Sequence, residues 1–371
     1  MEKKHTYNPS LCLTHHCNLS CIYCYQKHDK TSKMDFITAK KCINDIILNC
    51  PENTKQINIG FMGGEPLLEF NLIKQIYEYT ETLKIKFPYR FFATTNGICL
   101  REDSKKWFSA HKEKFILGLS LDGNRTTHNY NRSYSFDLID IDFFLNTWPL
   151  QGVKMTLSEF SLNSLADDII YLHNRGFKTI KGVNLFEGNF DWSKKEFIQI
   201  LIPQLKKLEE YYIKNPDIPL NQMLDKHLYK CLKDDKKQKK WCGVGETTPF
   251  YDIDGKKYPC AFITPMTFSE EELKTISLID FTNQENFIDK QCQNCYIHPI
   301  CPTCSGANFL VNRRFDERIK SKCEIQKLIT LFSADLQGKR YLENKSRKLS
   351  KKDFMNIEVI KEIKSKINLN F

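Results

Sequence analysis

Through the first half of the chain, short apolar or β-branched runs alternate with stretches of helical periodicity, and no other feature constrains the fold as tightly. The candidate strands are SLCLT (10–14), QINIGF (56–61), RFFATT (90–95), FILGLSL (115–121), VKMTLS (153–158) and TIKGVNLF (179–186). Helix-like stretches lie between them near 36–49, 70–86, 101–113, 135–147 and 163–175, the last closed by Gly176. Strands separated by helices cannot pair as hairpins, so they cross over and lie parallel. The expected class is therefore α/β, a partial (β/α)6 TIM-like barrel whose loops after the strand C-termini carry the chemistry.

A longer helix near 194–215 ends at NPDIP, where two prolines and an asparagine mark a break, and beyond about 240 the cysteines become dense. The expected organisation is a barrel over 1–215, a linker or helical bridge over 216–240, a small cysteine-rich domain with little regular structure over 241–330, and a helical tail over 331–371. In the tail, Phe354, Ile357, Ile360, Ile363 and Ile367 fall along one helical face with lysines opposite. Such a helix caps the barrel or docks a precursor peptide.

With 371 residues, 41% of them hydrophobic, the chain can bury one large core and a smaller one. The opening MEKKHTYNPSLCLTHH lacks the apolar run of a signal peptide, and no stretch reaches the roughly 18 apolar residues of a membrane span. A cytoplasmic location without a membrane partner is expected. Fifteen cysteines in that reducing compartment point to metal rather than to disulfides. The net charge of +10 is spread along helices, apart from KDDKKQKK (233–240) and ENKSRKLSKK (343–352), so a solvated basic surface is expected rather than a nucleic-acid partner.

Cys17, Cys21 and Cys24 are spaced C-x3-C-x2-C in the loop after the first strand, so three thiolates can converge from one loop. Four ligands close a structural zinc site, whereas an iron–sulfur cube held by three cysteines leaves one iron open to an external ligand. The spacing admits either. Seven more cysteines follow: Cys242 and Cys260, then Cys292, Cys295, Cys301 and Cys304 as C-x2-C-x5-C-x2-C, then Cys323. The five residues between the CxxC pairs are fewer than a zinc ribbon uses. Cys12, Cys42, Cys50, Cys99 and Cys231 lack ligand spacing and are expected as buried small hydrophobes.

CNLSCIYC, with Tyr23 just before its third cysteine, resembles the cluster-binding loop of the radical S-adenosylmethionine (radical SAM) enzymes. GGEP (63–66) is similar to the superfamily's motif for the methionyl ammonium: Gly63 and Gly64 allow close approach to the backbone, Glu65 offers an anion, and Pro66 closes the motif. TTNG (94–97), which holds Asn96, and LSLDG (119–123), with Ser120 and Asp122 at the positions facing ribose and substrate, complete the resemblance at successive strand ends. Leu185, on the sixth strand, joins the implied cofactor contacts. HNYNR (128–132) resembles a stretch of the peptide- and protein-modifying members, in which Arg132 either pairs with the cofactor carboxylate or is an ordinary surface arginine. The resemblance implies an oxidoreductase in which a reduced [4Fe-4S] cluster cleaves S-adenosyl-L-methionine to a 5′-deoxyadenosyl radical that abstracts hydrogen.

The C-terminal cysteines resemble a SPASM domain, with two residues rather than three inside CPTC. The resemblance implies two auxiliary [4Fe-4S] clusters, three in all: one held by Cys292, Cys295, Cys301 and Cys323, the other by Cys242, Cys260 and Cys304 and short of a ligand. An open iron there would receive a substrate thiolate or an electron, and Cys231, eleven residues upstream of Cys242, is a bystander. Implied partners are a precursor peptide, an external electron donor such as flavodoxin or ferredoxin, and a separate leader-binding protein if neither barrel nor tail reads the leader.

Two activities fit this resemblance. One installs a thioether or carbon crosslink in a ribosomally made peptide; the other is anaerobic sulfatase maturation to formylglycine. The second group carries an aspartate directly after the cysteine of the YPC segment, where this chain has Ala261, which cannot take a proton. Peptide maturation is therefore expected. An iron–sulfur electron-transfer protein without radical chemistry is the alternative of another class, which GGEP argues against. Glu187, Asp191, Asp252 and Asp254 are the acidic candidates for proton transfer.

Overall fold

A computed structural model describes residues 5–183, 190–232, 240–343 and 350–367. Its strands are β1 (His5–Tyr7), β2 (Ser10–Thr14), β3 (Thr54–Gly63), β4 (Tyr89–Thr95), β5 (Phe115–Leu119), β6 (Val153–Lys154), β7 (Ile180–Lys181), β8 (Phe250–Tyr251) and β9 (Lys257–Tyr258). Its α-helices are α1 (Phe36–Leu48), α2 (Phe70–Glu81), α3 (Glu102–Ala110), α4 (Arg125–Asn131), α5 (Ile141–Thr147), α6 (Leu165–Asn174), α7 (Lys195–Lys214), α8 (Glu270–Ser277), α9 (Ser305–Asn312), α10 (Cys323–Glu343) and α11 (Lys351–Lys366). The chain divides into two compact units, each drawn from separated segments. Unit 1 comprises Met1–Ser120, Arg132–Gln151 and Cys242–Asn283; unit 2 comprises Leu121–Asn131, Gly152–Trp241 and Gln284–Phe371.

Unit 1 is built on a sheet of order β5-β4-β3-β2-β8-β9, with β1 also paired to β3. The pairs from β2 to β5 are all parallel, as the crossover argument requires. Leu11, Cys12 and Leu13 of β2 are fully buried, which is why this strand is a continuous apolar run rather than an alternating one. Phe61, Phe91 and Phe115, from β3, β4 and β5, stack at centroid distances of 5.7–5.8 Å and form the aromatic centre of the sheet. Asp35 starts α1 by accepting a hydrogen bond from Thr38 N at 2.7 Å, a strong N-cap.

Unit 2 contains the parallel pair β6–β7 and the helices α4, α6, α7, α9, α10 and α11. Gly176, at φ +110, ends α6 as expected, its N–H donating to His173 O at 2.9 Å. The tail helix α11 buries Val359, Ile360 and Ile363 against Leu228, Ile297, Ile300 and Ala334.

The class is α/β with a parallel sheet and a helical C-terminal region, but several elements differ from expectation. The run 153–158 makes only two strand residues, because side chains capture the backbone that would extend it. Thr156 N–H donates to Asp122 Oδ1 (2.9 Å) and Ser158 N–H to Ser161 Oγ (2.7 Å). The run 179–186 pairs only at Ile180–Lys181, and residues 184–186 lie outside the described residues. Of the helix expected over 135–147, a short 3-10 turn at Phe136–Leu138 and α5 form, because Ile139 is extended (φ −96, ψ 123) and Asp140 starts α5 afresh by accepting from Phe143 N at 3.0 Å; α4 was not expected. β1, β8 and β9 were not expected; two or three residues carry no legible period, and β8 joins the first sheet from far along the chain.

Candidate cluster and cofactor site

β2 delivers the chain into the cysteine loop. Thr14, its buried last residue, donates from Oγ1 to Ser32 O (3.0 Å) and accepts there from His16 N (3.1 Å). The carbonyls of Thr14 and His16 accept from Gly64 N and Glu65 N, each at 2.9 Å, so the end of β3 runs flush against the start of the loop. A Cβ on Gly63, at φ +149, would stand 2.2 Å from Thr14 O, and one on Gly64 2.2 Å from His16 O. The loop's own backbone fills the space beside both glycines, so neither position has room for a side chain.

Within the loop, Cys17 and Cys21 are half-buried and Cys24 is exposed. Cys24 N donates to Cys21 O at 3.0 Å, and Cys24 Sγ lies 3.3 Å from His28 Nε2. Burial pushes the Cys17 thiol up to about 12. Among the described residues, the group of metal-type donors that closes to within 4.8 Å is Cys12, His15 and Asp252, not the loop cysteines. The all-sulfur donor set of the three loop thiols fits an iron–sulfur cluster held by three cysteines.

Arg132 is buried, which removes the surface-arginine alternative. Its guanidinium lies 5.2 Å from the ring centroid of buried Tyr23 and its Nη1 4.0 Å from Cys21 Sγ. Glu65 is buried as well. Oε1 accepts from Leu67 N (3.0 Å) and Thr95 Oγ1 (2.8 Å), and Oε2 from Asn96 N (2.8 Å). Burial raises its carboxyl above the usual range, opposed by those hydrogen bonds and by the charge of Arg132. Three of about four acceptor positions thus bind protein, and Glu65 ties β3 to β4. Pro66 opens the short 3-10 turn that follows.

Asn96 reaches back to the loop, donating from Nδ2 to Asn18 Oδ1 (2.8 Å), while Asn18 Nδ2 donates to Cys99 Sγ (3.1 Å). Sequence reasoning missed Asn18; its position between two of the loop's cysteines was the available signal. Ser120 N donates to Thr95 O (2.9 Å). Asp122 is fully buried in unit 2, accepting from Thr156 N and, at 3.3 Å, from Asn131 Nδ2.

The acidic candidates part company. Asp252 is buried and bonded through Oδ1 to His15 Nε2 at 2.7 Å, while His15 Nδ1 faces Asp29 at 3.4 Å. The hydrogen bond that His15 makes to Asp252 raises its imidazole above the ordinary value. His15 was not singled out in the sequence, although it adjoins the cysteine loop. Asp191 and Asp254 are exposed and bond their own turns, at Ser193 and Lys256 N. Glu187 and Leu185 lie outside the described residues.

Of the C-terminal cysteines, Cys242 and Cys260 belong to unit 1, where Gly245 N donates to Pro259 O (3.0 Å) and draws their segments together. Cys292, Cys295, Cys301, Cys304 and Cys323 belong to unit 2. Cys292, Cys301 and Cys323 line one small cavity with Arg318 and Lys322, so three of the four cysteines expected at the distal cluster face a common space. Burial pushes Lys322 down to about 8, against the neighbouring Cys304. Cys231, expected as a bystander, packs in the apolar cluster that also holds Cys295 and Cys301.

The radical SAM superfamily model matches residues 11–139, from β2 to just past the HNYNR stretch. The uncharacterized protein MJ0907 of Methanocaldococcus jannaschii is 33% identical over 222 residues, 55% of this chain and 72% of its own length. A cysteine-type anaerobic sulfatase-maturating enzyme of Clostridium perfringens is 24% identical over 327 residues, 77% of this chain and 84% of its own. Among solved structures, native anSMEcpe with bound AdoMet and Cp18Cys peptide superposes with a TM-score of 0.66 at 18% identity, covering 91% of this chain and 98% of that one. Streptococcus suis SuiB bound to its precursor peptide SuiA gives 0.55 at 15% identity, covering 86% and 76%. The chain belongs to the radical SAM superfamily.

Proposed function

We propose that this chain is a peptide maturase that uses S-adenosyl-L-methionine and three [4Fe-4S] clusters to install a thioether or carbon crosslink in a ribosomally made peptide. The observation that carries the reading is the loop of Cys17, Cys21 and Cys24, three thiols on one short loop clamped to the GGEP turn through the Thr14 and His16 carbonyls. When bound, the first cluster and S-adenosyl-L-methionine supply a 5′-deoxyadenosyl radical that removes a hydrogen atom from an unactivated carbon. The chain's own residues hold and orient. Cys17, Cys21 and Cys24 would bind the cluster, Arg132 supplies a buried positive charge beside Cys21, and Gly63 to Pro66 fix the loop. An external donor of the flavodoxin or ferredoxin class supplies the electron. Anaerobic incubation with S-adenosyl-L-methionine and dithionite is expected to yield 5′-deoxyadenosine, and Cys24→Ala to reduce it to background. Undiminished product from that variant would sink the reading.

Cys242 and Cys260 are assigned to an auxiliary cluster with an open iron that receives a substrate thiolate. Mössbauer spectra in which every iron of the auxiliary clusters carries a terminal thiolate, with and without peptide, would overturn that assignment. Sulfatase maturation is the second reading, favoured by the relative named for it and disfavoured at Ala261. The Ala261 side chain packs against the buried cluster of Cys12, Phe250, Tyr258 and Met266 and offers no base. Formylglycine in a sulfatase peptide after incubation with the enzyme would reverse the order of the two.

A further inference from the structure

Unit 2 gathers cations around the cysteines assigned to the distal auxiliary cluster. Lys320 Nζ stands 3.3 Å from Cys292 Sγ and 2.6 Å from Asp289 Oδ2. Asp289 is 4% exposed and fully engaged. Its Oδ1 accepts from Gln291 N (2.9 Å) and Cys292 N (3.3 Å), and its Oδ2 also accepts from Arg318 N (2.8 Å). One buried carboxylate therefore fixes both the turn that carries Cys292 and the ammonium aimed at its sulfur. Arg318, buried too, donates to Cys301 O (3.2 Å) and to His298 Nε2 (2.8 Å). An exposed Lys–Asp pair contributes little to stability, but here one partner is buried and the other touches a ligand sulfur.

We infer that Lys320 is a positioning residue that raises the reduction potential of the distal auxiliary cluster by donating to Cys292 Sγ. This rests on the reading that Cys292, Cys295, Cys301 and Cys323 hold a [4Fe-4S] cluster. Four thiolates leave such a cluster net negative, and one-electron reduction adds another negative charge. A cation hydrogen-bonded to a ligand sulfur stabilises the reduced form more than the oxidised one. Removing Lys320 both deletes that donor and leaves the Asp289 charge unpaired beside the cluster, and the two changes act in the same direction.

The test is a redox titration of the full-length, reconstituted protein, with dithionite as the electron source and electron paramagnetic resonance as the readout. The distal signal is assigned as the one missing from Cys295→Ala. Lys320→Met is expected to shift that potential negative, Lys320→Gln to shift it less, and Lys320→Arg to leave it near the parent value, with iron and sulfide content unchanged. An unshifted potential in Lys320→Met overturns the proposal. If Lys320→Met loses the cluster, equal potentials in Lys320→Gln and Lys320→Arg overturn it instead, since charge would then be irrelevant. Iron content unaffected by Cys295→Ala is a separate failure, that of the ligand assignment itself, and is read before any potential.

Discussion

At the scale of single residues, buried polar groups do the organising. Asp168 is fully buried and accepts from Asn124 N (2.9 Å), Thr127 Oγ1 (2.8 Å) and Ser164 Oγ (2.7 Å), shaping the turn after Asp122. Burial pushes its carboxyl up from 3.8 to about 6, so the folded state holds the proton more tightly than the unfolded chain. Its stabilisation is complete below pH 3.8 and is lost as the pH rises through about 6. Roughly two pKa units correspond to about 3 kcal/mol. The stability difference between the parent and Asp168→Asn, from urea unfolding, should shrink by that order between pH 4 and 6. Gly64→Ala should cost about 2–4 kcal/mol, because its Cβ meets the His16 carbonyl. That variant should also lose the iron of the first cluster, read by iron assay after reconstitution.

At the scale of elements, the tail helix shows where pattern and packing separate. Its expected face ran through Phe354, yet Phe354 is 62% exposed and the buried positions are Val359, Ile360 and Ile363. The face is set by what α11 meets: Asn356 accepts from Tyr229 N (2.8 Å) and donates to the Tyr341 hydroxyl (2.9 Å), fixing the helix rotation. Ile363→Ala should therefore destabilise by about 2–5 kcal/mol, whereas Phe354→Ala should stay within roughly 0.5 kcal/mol, both by denaturant titration. The long strands β2 to β5 were legible because each is an apolar run between helices. β8 and β9 were not, because two-residue strands are defined by their partners rather than by any period.

At the scale of the whole molecule, a group that binds only the folded state stabilises it by mass action, and the cysteines proposed to hold clusters run from Cys17 to Cys323 along the chain. Stripping iron with a chelator under anaerobic conditions should lower the thermal midpoint, and reconstitution with iron and sulfide should restore it. An unchanged midpoint would mean that the cysteines contribute nothing to the folded state through metal. Each compact unit draws on separated stretches of the chain, Cys242–Asn283 falling in unit 1 and Gln284–Phe371 in unit 2.

What the sequence determined by itself is chemistry tied to spacing and long periodicity. Three cysteines on one short loop, glycines at a strand end and a series of buried parallel strands can each be read from a few neighbouring residues. What only the tertiary structure decided is which distant groups meet. Asp252 lies against His15, Asn96 against Asn18, Arg132 on Tyr23, and Lys320 on Cys292. Such pairings cost chain entropy that long-range burial offsets, and no local pattern records them.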